Sequence, residues 1–313
     1  MSGLEEPGSG PPIAGIAGSP ITDTAGPPRP GTTGPARSVL PAHPVWLTYQ
    51  WEVEKLTAQF RTRAAVLVAL LGPALFAAGL KLATDVPSDT LFGRWVGESG
   101  FALPLVVLGF AGAWGFPLLV CLVAGDIFSA EDHHRTWNGL LTRSVSRRSV
   151  FAGKIAAAGS YVVVVVGLLA VSSLLSGLVS VGRAPLVGLT GNVLEPGRAA
   201  GLVLAGWASI LPAALSFAAL GVLVSVLTRS SLAGVLVPTL LGALLQLLLL
   251  VGGPLDAVRA VLPGASFTAW TGLFTDPLIT APLWWGAGSA VLYSAVLVMI
   301  AWAVFRRRDI TGS

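Results

Sequence analysis

Few residues of this sequence could do chemistry, and four of them are adjacent. Glu131, Asp132, His133 and His134 are all of types that bind metal ions or transfer protons. Neighbouring residues on a helix point in different directions, however, so these four side chains would not readily share one ion. We therefore expect no metal site, and the single cysteine among 313 residues also excludes a cysteine-rich one.

A phosphate-binding loop would be the other obvious site of chemistry. The sequence contains no Gly-x-x-x-x-Gly-Lys-Ser/Thr pattern, because Gly153-Lys154 lacks both the upstream glycine and a following hydroxyl residue. We therefore expect this chain to hydrolyse no nucleotide, to have no catalytic residue and to carry no cofactor of its own.

The elements that position the remaining residues are membrane-spanning helices. Hydrophobic residues make up 54% of the chain and charged residues only 11%, against roughly 25% charged in soluble domains. A helix needs roughly 20 apolar residues to cross a bilayer. A soluble bundle is the weaker interpretation, because its helices would have polar faces. The sequence thus predicts an all-α integral membrane protein with six spans, at about 64–80, 101–124, 155–181, 199–227, 232–251 and 283–305.

Lysine and arginine near the ends of the spans predict the orientation. Within about 20 residues of a span, 12 basic residues lie on the side of the two termini and 5 on the opposite side. We predict that both termini are cytoplasmic, and that the basic charge reflects topology rather than nucleic-acid binding. This orientation separates Ser266 from His43, His133 and His134, the only histidines, which disfavours a serine hydrolase.

The chain before the first span divides into two segments. Residues 1–42 are rich in Gly, Pro, Ser and Thr and show no sustained apolar periodicity, so we predict a disordered cytoplasmic tail. This tail is not a signal peptide, because Glu5 and Glu6 stand where a basic start is expected and no apolar core follows.

A stripe of large apolar residues follows this tail. The stripe recurs at spacings of three and four residues, which predicts an amphipathic helix over residues 43–63. Its aromatic members favour a position in the cytoplasmic membrane interface, in contact with lipids. A helix packed on protein and a short coiled coil remain open alternatives. The stripe consists of Trp46, Tyr49, Val53, Leu56 and Phe60.

The longest cytoplasmic loop, residues 125–154, has an unusual apolar face. Trp137, Leu140 and Leu141 lie three and four residues apart, and basic residues flank them. A short helix with such a face suits docking in a groove of another protein. Contact of Trp137 with lipid headgroups explains the same pattern equally well, and composition alone does not separate the two.

The order and spacing of the residues in this loop resemble the cytoplasmic loop of ABC-2-type transporter permeases. That family shows a pattern of the form Glu-x-x-x-Gly-Thr-x-x-x-Leu-Leu-x-x-Pro-x-Ser-Arg, with Gly-Lys opening the next span. This sequence departs from it at Arg135 and Ser144, where Gly and Pro are usual. The resemblance extends over about residues 45–310, and its loop motif comprises Glu131, Arg135, Thr136, Trp137, Leu140, Leu141, Ser146, Arg147, Gly153 and Lys154.

The resemblance implies a division of labour between subunits. Residues 64–310 would be the permease domain, which forms the path across the membrane and pairs with a second permease half. Two copies of a separate ABC ATPase subunit would bind ATP and magnesium and contact the loop motif and the interfacial helix. We expect an exporter. The alternative class is a non-transport membrane scaffold or sensor that recruits a cytosolic partner.

Candidates for the translocation path are weak. The apolar blocks hold no internal charged residue, which argues against coupling to protons or sodium. Gln246, Ser172 and Ser176 are the polar residues best placed to line a path. The serines have an alternative role, which is to bond across helices. Such low polarity favours an apolar or amphipathic cargo.

Overall fold

The computed structural model describes residues 44–83, 89–134, 146–250 and 262–307. The predicted tail, residues 1–42, lies outside this description. The described α-helices are α1 (Pro44–Ala58), α2 (Phe60–Leu82), α3 (Ala102–Phe110), α4 (Phe116–Ala124), α5 (Ser129–His134), α6 (Arg147–Ser180), α7 (Pro196–Ser209), α8 (Leu211–Thr228), α9 (Ser231–Leu250) and α10 (Ala281–Arg307).

Three kinds of short element complete the described fold. Strands β1 (Leu186–Val187) and β2 (Val193–Leu194) form an antiparallel hairpin in which Leu186 pairs with Leu194. Single 3₁₀ turns and one π turn occupy Gly93–Trp95, Pro263–Phe267, Ala269–Phe274 and, for the π turn, Ala111–Gly115.

Five described segments are long and apolar enough to cross a membrane, which confirms an all-α protein with several spans. Their lengths run from 18 to 34 residues, and each contains a window with mean hydropathy of at least 1.9. The segments are Phe60–Leu82, Arg147–Ser180, Pro196–Thr228, Ser231–Leu248 and Ala281–Arg307.

The remaining predicted span, 101–124, corresponds to α3, the π turn and α4. Each of the two α-helices has nine residues, so neither would cross a bilayer alone. The π turn ends just before Pro117, which lies at the start of α4. Proline provides no backbone N–H, and a local widening of the helix accommodates the carbonyl left without that donor.

Helix α8 is the centre of the bundle. It packs against α4, α6, α9 and α10, and the span that contains it is 72% buried, against 17% for the spans formed by α9 and α10. Its buried side chains include Ala213, Ala214 and Ala218. Such small residues let neighbouring backbones approach closely, which gives helices in lipid their van der Waals contact.

Backbone contact without intervening side chains occurs where α9 crosses the end of α4. A Cβ atom placed on Gly125 would overlap the backbone of Gly234, and one placed on Gly234 would overlap that of Gly125. Only glycine allows this approach at both positions. The crossing fixes α9 next to the turn that leads from α4 to α5.

The predicted fourth span, 199–227, is divided. Helix α7 ends at Ser209 and α8 begins at Leu211, with Pro212 in its first turn. Proline fits the first turn of a helix because the N–H it lacks would have no partner there. The division therefore follows from the position of Pro212.

Candidate functional site at the junction of α1, α5 and α6

The N-terminal end of α6 is capped by a side chain. Ser146 has extended backbone angles, and its Oγ accepts a hydrogen bond of 3.1 Å from the backbone N–H of Ser149. This bond satisfies one of the four N–H groups that a helix start leaves without a partner. The cap fixes the point at which the loop enters the long α6 helix.

Helix α1 lies directly on α6. A Cβ atom on Gly153 would come within 2.8 Å of the Thr48 side chain, so the glycine allows the two helices to touch. The buried face of α1 consists of Thr48, Glu52 and Leu56, which are spaced four residues apart. Within the described chain, α1 is therefore a helix packed on protein along this face.

The predicted apolar stripe of α1 lies largely beside this buried face. Leu56 is buried, whereas Tyr49 and Val53 are half-buried and Trp46 is exposed. Phe60 does not belong to α1, because the extended backbone of Gln59 ends the helix and Phe60 begins α2. A position of α1 at the membrane interface stays a prediction, with Trp46 as its most exposed aromatic side chain.

Lys154 is the central residue of the junction. Its side chain is fully buried, and its Nζ donates to Glu52 Oε1 at 2.7 Å, to Glu131 Oε1 at 3.1 Å and to the Ile127 carbonyl at 3.0 Å. An ammonium group has three N–H donors. Each of these oxygens belongs to a different segment: α1, α5 and the turn before α5.

A second lysine balances the charge of this cluster. Lys55 Nζ also donates to Glu131 Oε1, and the Lys55 side chain is 36% exposed. Two lysines thus face two glutamates, and the cluster is formally neutral. Removing one partner of a buried pair costs about 3–5 kcal/mol, because a buried charge is left without its counterion. We call Glu52, Lys55, Glu131 and Lys154 the ionic junction.

Aromatic rings surround the ionic junction on one side. The Phe128 ring centroid lies 5.7 Å from Lys154 Nζ, which is within range of a cation–π contact. Phe128 also packs against Phe151 and Phe305 with ring centroids 5.4 Å apart, and all three rings are buried. These rings cover one side of the cluster, and the contact between Phe151 and Phe305 brings α10 against α6.

A separate ion pair links three further elements. Arg61 Nη1 of α2 lies 3.5 Å from Asp126 Oδ2 in the turn after α4, and donates to Ser231 Oγ of α9 at 2.9 Å. The Arg61 side chain is half-exposed, and exposed pairs contribute at most about 1 kcal/mol. This contact therefore aligns the helix ends more than it stabilises them.

The residues predicted to contact an ATPase divide into two groups. Glu131 is buried in the ionic junction, Ser146 is the cap of α6, and Arg147 donates to the Arg306 carbonyl at 3.4 Å. The others, Arg135, Thr136, Trp137, Leu140 and Leu141, lie outside the described residues.

Sequence reasoning did not identify the ionic junction. The periodicity of α1 leaves Glu52 and Lys55 outside the apolar stripe, and Lys154 enters the sequence analysis only as part of the loop motif. One signal was available: Lys154 stands at the head of an apolar block, where a side chain facing lipid or protein must find partners. Nothing in the sequence indicates which acidic residues provide them.

The candidates for the translocation path lie apart from this junction. Ser172 is buried and donates to the Ala69 carbonyl of α2 at 2.7 Å, so it makes the interhelical bond that was its alternative role. Ser176 lines a cavity of about 380 Å³ between α2 and α6, together with Lys81. Gln246 is half-buried on α9.

An apolar cavity of about 380 Å³ lies between α6, α8 and α10. Of its lining residues only Ser294 carries a polar side chain, and the others include Ala158, Leu215 and Val298. Such a lining suits hydrocarbon rather than an ion. Among the described residues, no group of three or more His, Cys, Asp or Glu could hold a metal ion.

The protein is a multi-pass membrane protein whose charged side chains gather where a loop enters a long spanning helix. The family model described as "ABC-2 family transporter protein" matches residues 49–246, which is more than half of the chain. The chain therefore belongs to this family, as its loop motif predicted. No curated protein matches the chain significantly.

Membership of this family has two consequences for function. The chain is a membrane permease of an ABC transporter, and its family implies association with an ABC ATPase partner. The matched range includes most of α1 and all of α5 and α6, and so contains all four residues of the ionic junction.

Proposed function

We propose that this chain is the permease subunit of an exporter, driven by ATP hydrolysis on a separate ATPase subunit. In this proposal the loop between the second and third of six spans receives the ATPase, and both termini are cytoplasmic. ATP and magnesium are bound by the partner, which is present in two copies, and a second permease half completes the path.

The observation that carries this proposal is the connection between the loop and the spans. Helix α5 begins the loop and is tied through Glu131 to Lys154 near the start of α6, which is itself a spanning helix of 34 residues. A push on α5 would therefore reach α6 through a short, buried contact. Allosteric links of this kind are typically about 1–3 kcal/mol.

The orientation and the span count rest on charge and length. The second span in this proposal is the 23-residue run from Ala102 to Ala124, which is long enough to cross a bilayer as one helix. Counting it gives six spans and places both termini on the side that is richer in lysine and arginine. The apolar cavity supports an apolar or amphipathic cargo.

Co-purification tests the proposal most directly. The chain is co-expressed with an ABC ATPase, sought first in the neighbouring reading frame, and both are purified through a tag on the permease. We expect the ATPase to be retained, and Trp137→Ala to reduce retention at least tenfold, because a central aromatic anchor carries much of such a contact.

A matched control is available on another element. Trp114 lies in the π turn and is half-exposed, away from the loop. We expect Trp114→Ala to leave retention of the ATPase unchanged. No retention by the parent chain would favour the alternative class, a membrane scaffold or sensor with a different cytosolic partner. Equal retention by the parent and Trp137→Ala would remove the docking role of the loop.

A further inference from the structure

We propose that Lys154 is a positioning residue that locks α1, α5 and α6 into one rigid body. This inference rests on the proposed function, because it assigns the route by which movement of the loop reaches a spanning helix. It concerns a residue that touches neither nucleotide nor cargo and acts only through the helices it joins.

The amine of Lys154 is saturated with hydrogen-bond acceptors. Its three donors meet Glu52 Oε1, Glu131 Oε1 and the Ile127 carbonyl, at 2.7, 3.1 and 3.0 Å. Oxygens from three segments fix the Nζ position from three directions. Rotation of α5 relative to α6 would break at least one of these bonds in a site that excludes water, where no solvent replaces it.

The four residues of the ionic junction form one connected network. Lys55 donates to the same Glu131 oxygen that Lys154 contacts, so α1 reaches α5 directly as well as through Lys154. Glu131 is buried and accepts from both lysines, so α5 is tied to α1 and to α6. Thus α1, α5 and α6 share a single connected network of charges.

The ionic junction uses charged side chains where most helix contacts of this protein are apolar. Apolar attraction is non-directional, so it does not by itself select one relative position of two helices. A charged hydrogen bond is short and directional, and it permits few arrangements. Glu52 Oε2 is buried and accepts no hydrogen bond within the described chain, so the network is incompletely satisfied. We infer that the junction serves to transmit position and is not optimised for stability alone.

The test must remove the lock and keep the fold. Lys154→Met alone would leave buried carboxylates without their counterion, so unfolding could not be told apart from loss of the lock. The double variant Glu52→Met with Lys154→Met removes one positive and one negative charge, and the Lys55–Glu131 pair remains. Replacement of a buried ion pair by apolar residues of similar size is often neutral for stability.

The readout is the distance between α1 and α6 in the complex with the ATPase. Spin labels are attached to Glu54→Cys on α1 and Val171→Cys on α6, both at exposed positions, in a chain with Cys121→Ala. Val171 lies 17 residues beyond Lys154, which is a rise of roughly 25 Å along the axis of α6. Labelled chains are diluted with unlabelled chains and measured in nanodiscs, without nucleotide and after trapping with ATP and vanadate.

In the parent chain we expect one narrow distance population that is the same in both nucleotide states. In the double Met variant we expect a broader distribution, or a second population after trapping, while the ATPase co-purifies in the same ratio. Ser160→Ala is the matched control, because it removes the Tyr49–Ser160 hydrogen bond of 3.1 Å between α1 and α6 without touching the charges. We expect this variant to behave as the parent.

Two outcomes would overturn the proposal. One is a double Met variant whose distances match the parent in both states, and the other is a Ser160→Ala variant that broadens them equally. Failure of the ATPase to co-purify with the parent chain would instead refute the proposed function. In that case the distances measured without nucleotide still test whether Lys154 fixes α1 on α6.

Discussion

The two ends of the described bundle are held together by different forces. At the ionic junction, Lys154 and Glu131 join three helices through directional bonds between charges. At the end that contains β1 and β2, which we call the hairpin end, aromatic rings make the contacts. Phe92 packs there against Trp270 and Phe274 with ring centroids 6.1 and 5.3 Å away.

The hairpin end also contains buried polar groups, but they are arranged differently. The indole nitrogens of Trp207 and Trp270 are buried and find no hydrogen-bond partner within the described residues. At the ionic junction, by contrast, every donor of Lys154 is used. The hairpin end is therefore stabilised by burial of aromatic surface, whereas the ionic junction is stabilised by specific pairs of charged groups.

The largest expected effect is at the junction. Lys154→Met should lower the free energy of unfolding by about 3–5 kcal/mol, because buried carboxylates lose their counterion. Reversible unfolding in detergent, followed by circular dichroism, measures this change. Addition of Glu52→Met to Lys154→Met should recover most of the lost free energy of unfolding. A single variant as stable as the parent would contradict the burial of the charge.

A smaller loss is expected at the hairpin end. Phe274→Leu should lower the free energy of unfolding by about 1.5 kcal/mol, because Phe274 is fully buried and leucine fills less of the space between Phe92 and Trp270. The same unfolding assay checks it. A loss as large as that of Lys154→Met would contradict the difference in stabilisation between the two ends.

A smaller loss still is expected for an interhelical hydrogen bond that lies between the two ends. Ser172→Ala removes the 2.7 Å bond to the Ala69 carbonyl, and such bonds in membranes average about 0.6 kcal/mol. Unfolding measurements should show a loss of that order, with unchanged retention of the ATPase. A reduction of transport in the stable variant would instead assign Ser172 to the path.

Two opposing effects are expected for Trp270→Phe. The substitution loses part of a buried ring but also removes an indole N–H that has no partner in the described chain. An unsatisfied buried donor costs about 1–3 kcal/mol, so the two effects should offset to within about 1 kcal/mol. A large loss would show that the Trp270 N–H has a partner after all, such as a bound water.

Much of the membrane architecture could be predicted from the sequence. Apolar blocks have lengths that the bilayer thickness dictates, and they indicate the helices α2, α6, α9 and α10. Helix α6 nevertheless begins at Arg147, eight residues before the start of its apolar block. The helix cap is equally local: Ser146 precedes α6 by one residue, and its hydroxyl needs only the N–H of Ser149. The family motif is also local, since its residues lie within one loop.

The partners of the charged residues could not be predicted. The face of α1 that is buried carries Thr48 and Glu52, although the apolar stripe at Trp46 and Tyr49 favours a different face. Burial of Glu52 is affordable only because Lys154, 102 residues away in the sequence, reaches it. The spacing of apolar residues assigns charged residues to the polar face of a helix, and it contains no information about a counterion that is distant in the sequence.

The amino-acid pattern alone establishes that the chain enters a membrane, roughly which segments form the long helices, and which loop resembles that of a permease. These properties follow from hydropathy and from hydrogen bonds within a few residues. The contacts of Lys154 with Glu52 and Glu131, by contrast, are visible only once the helices are packed. Burial of an ionic group is set by what lies around it, and those neighbours come from helices that the sequence leaves far apart.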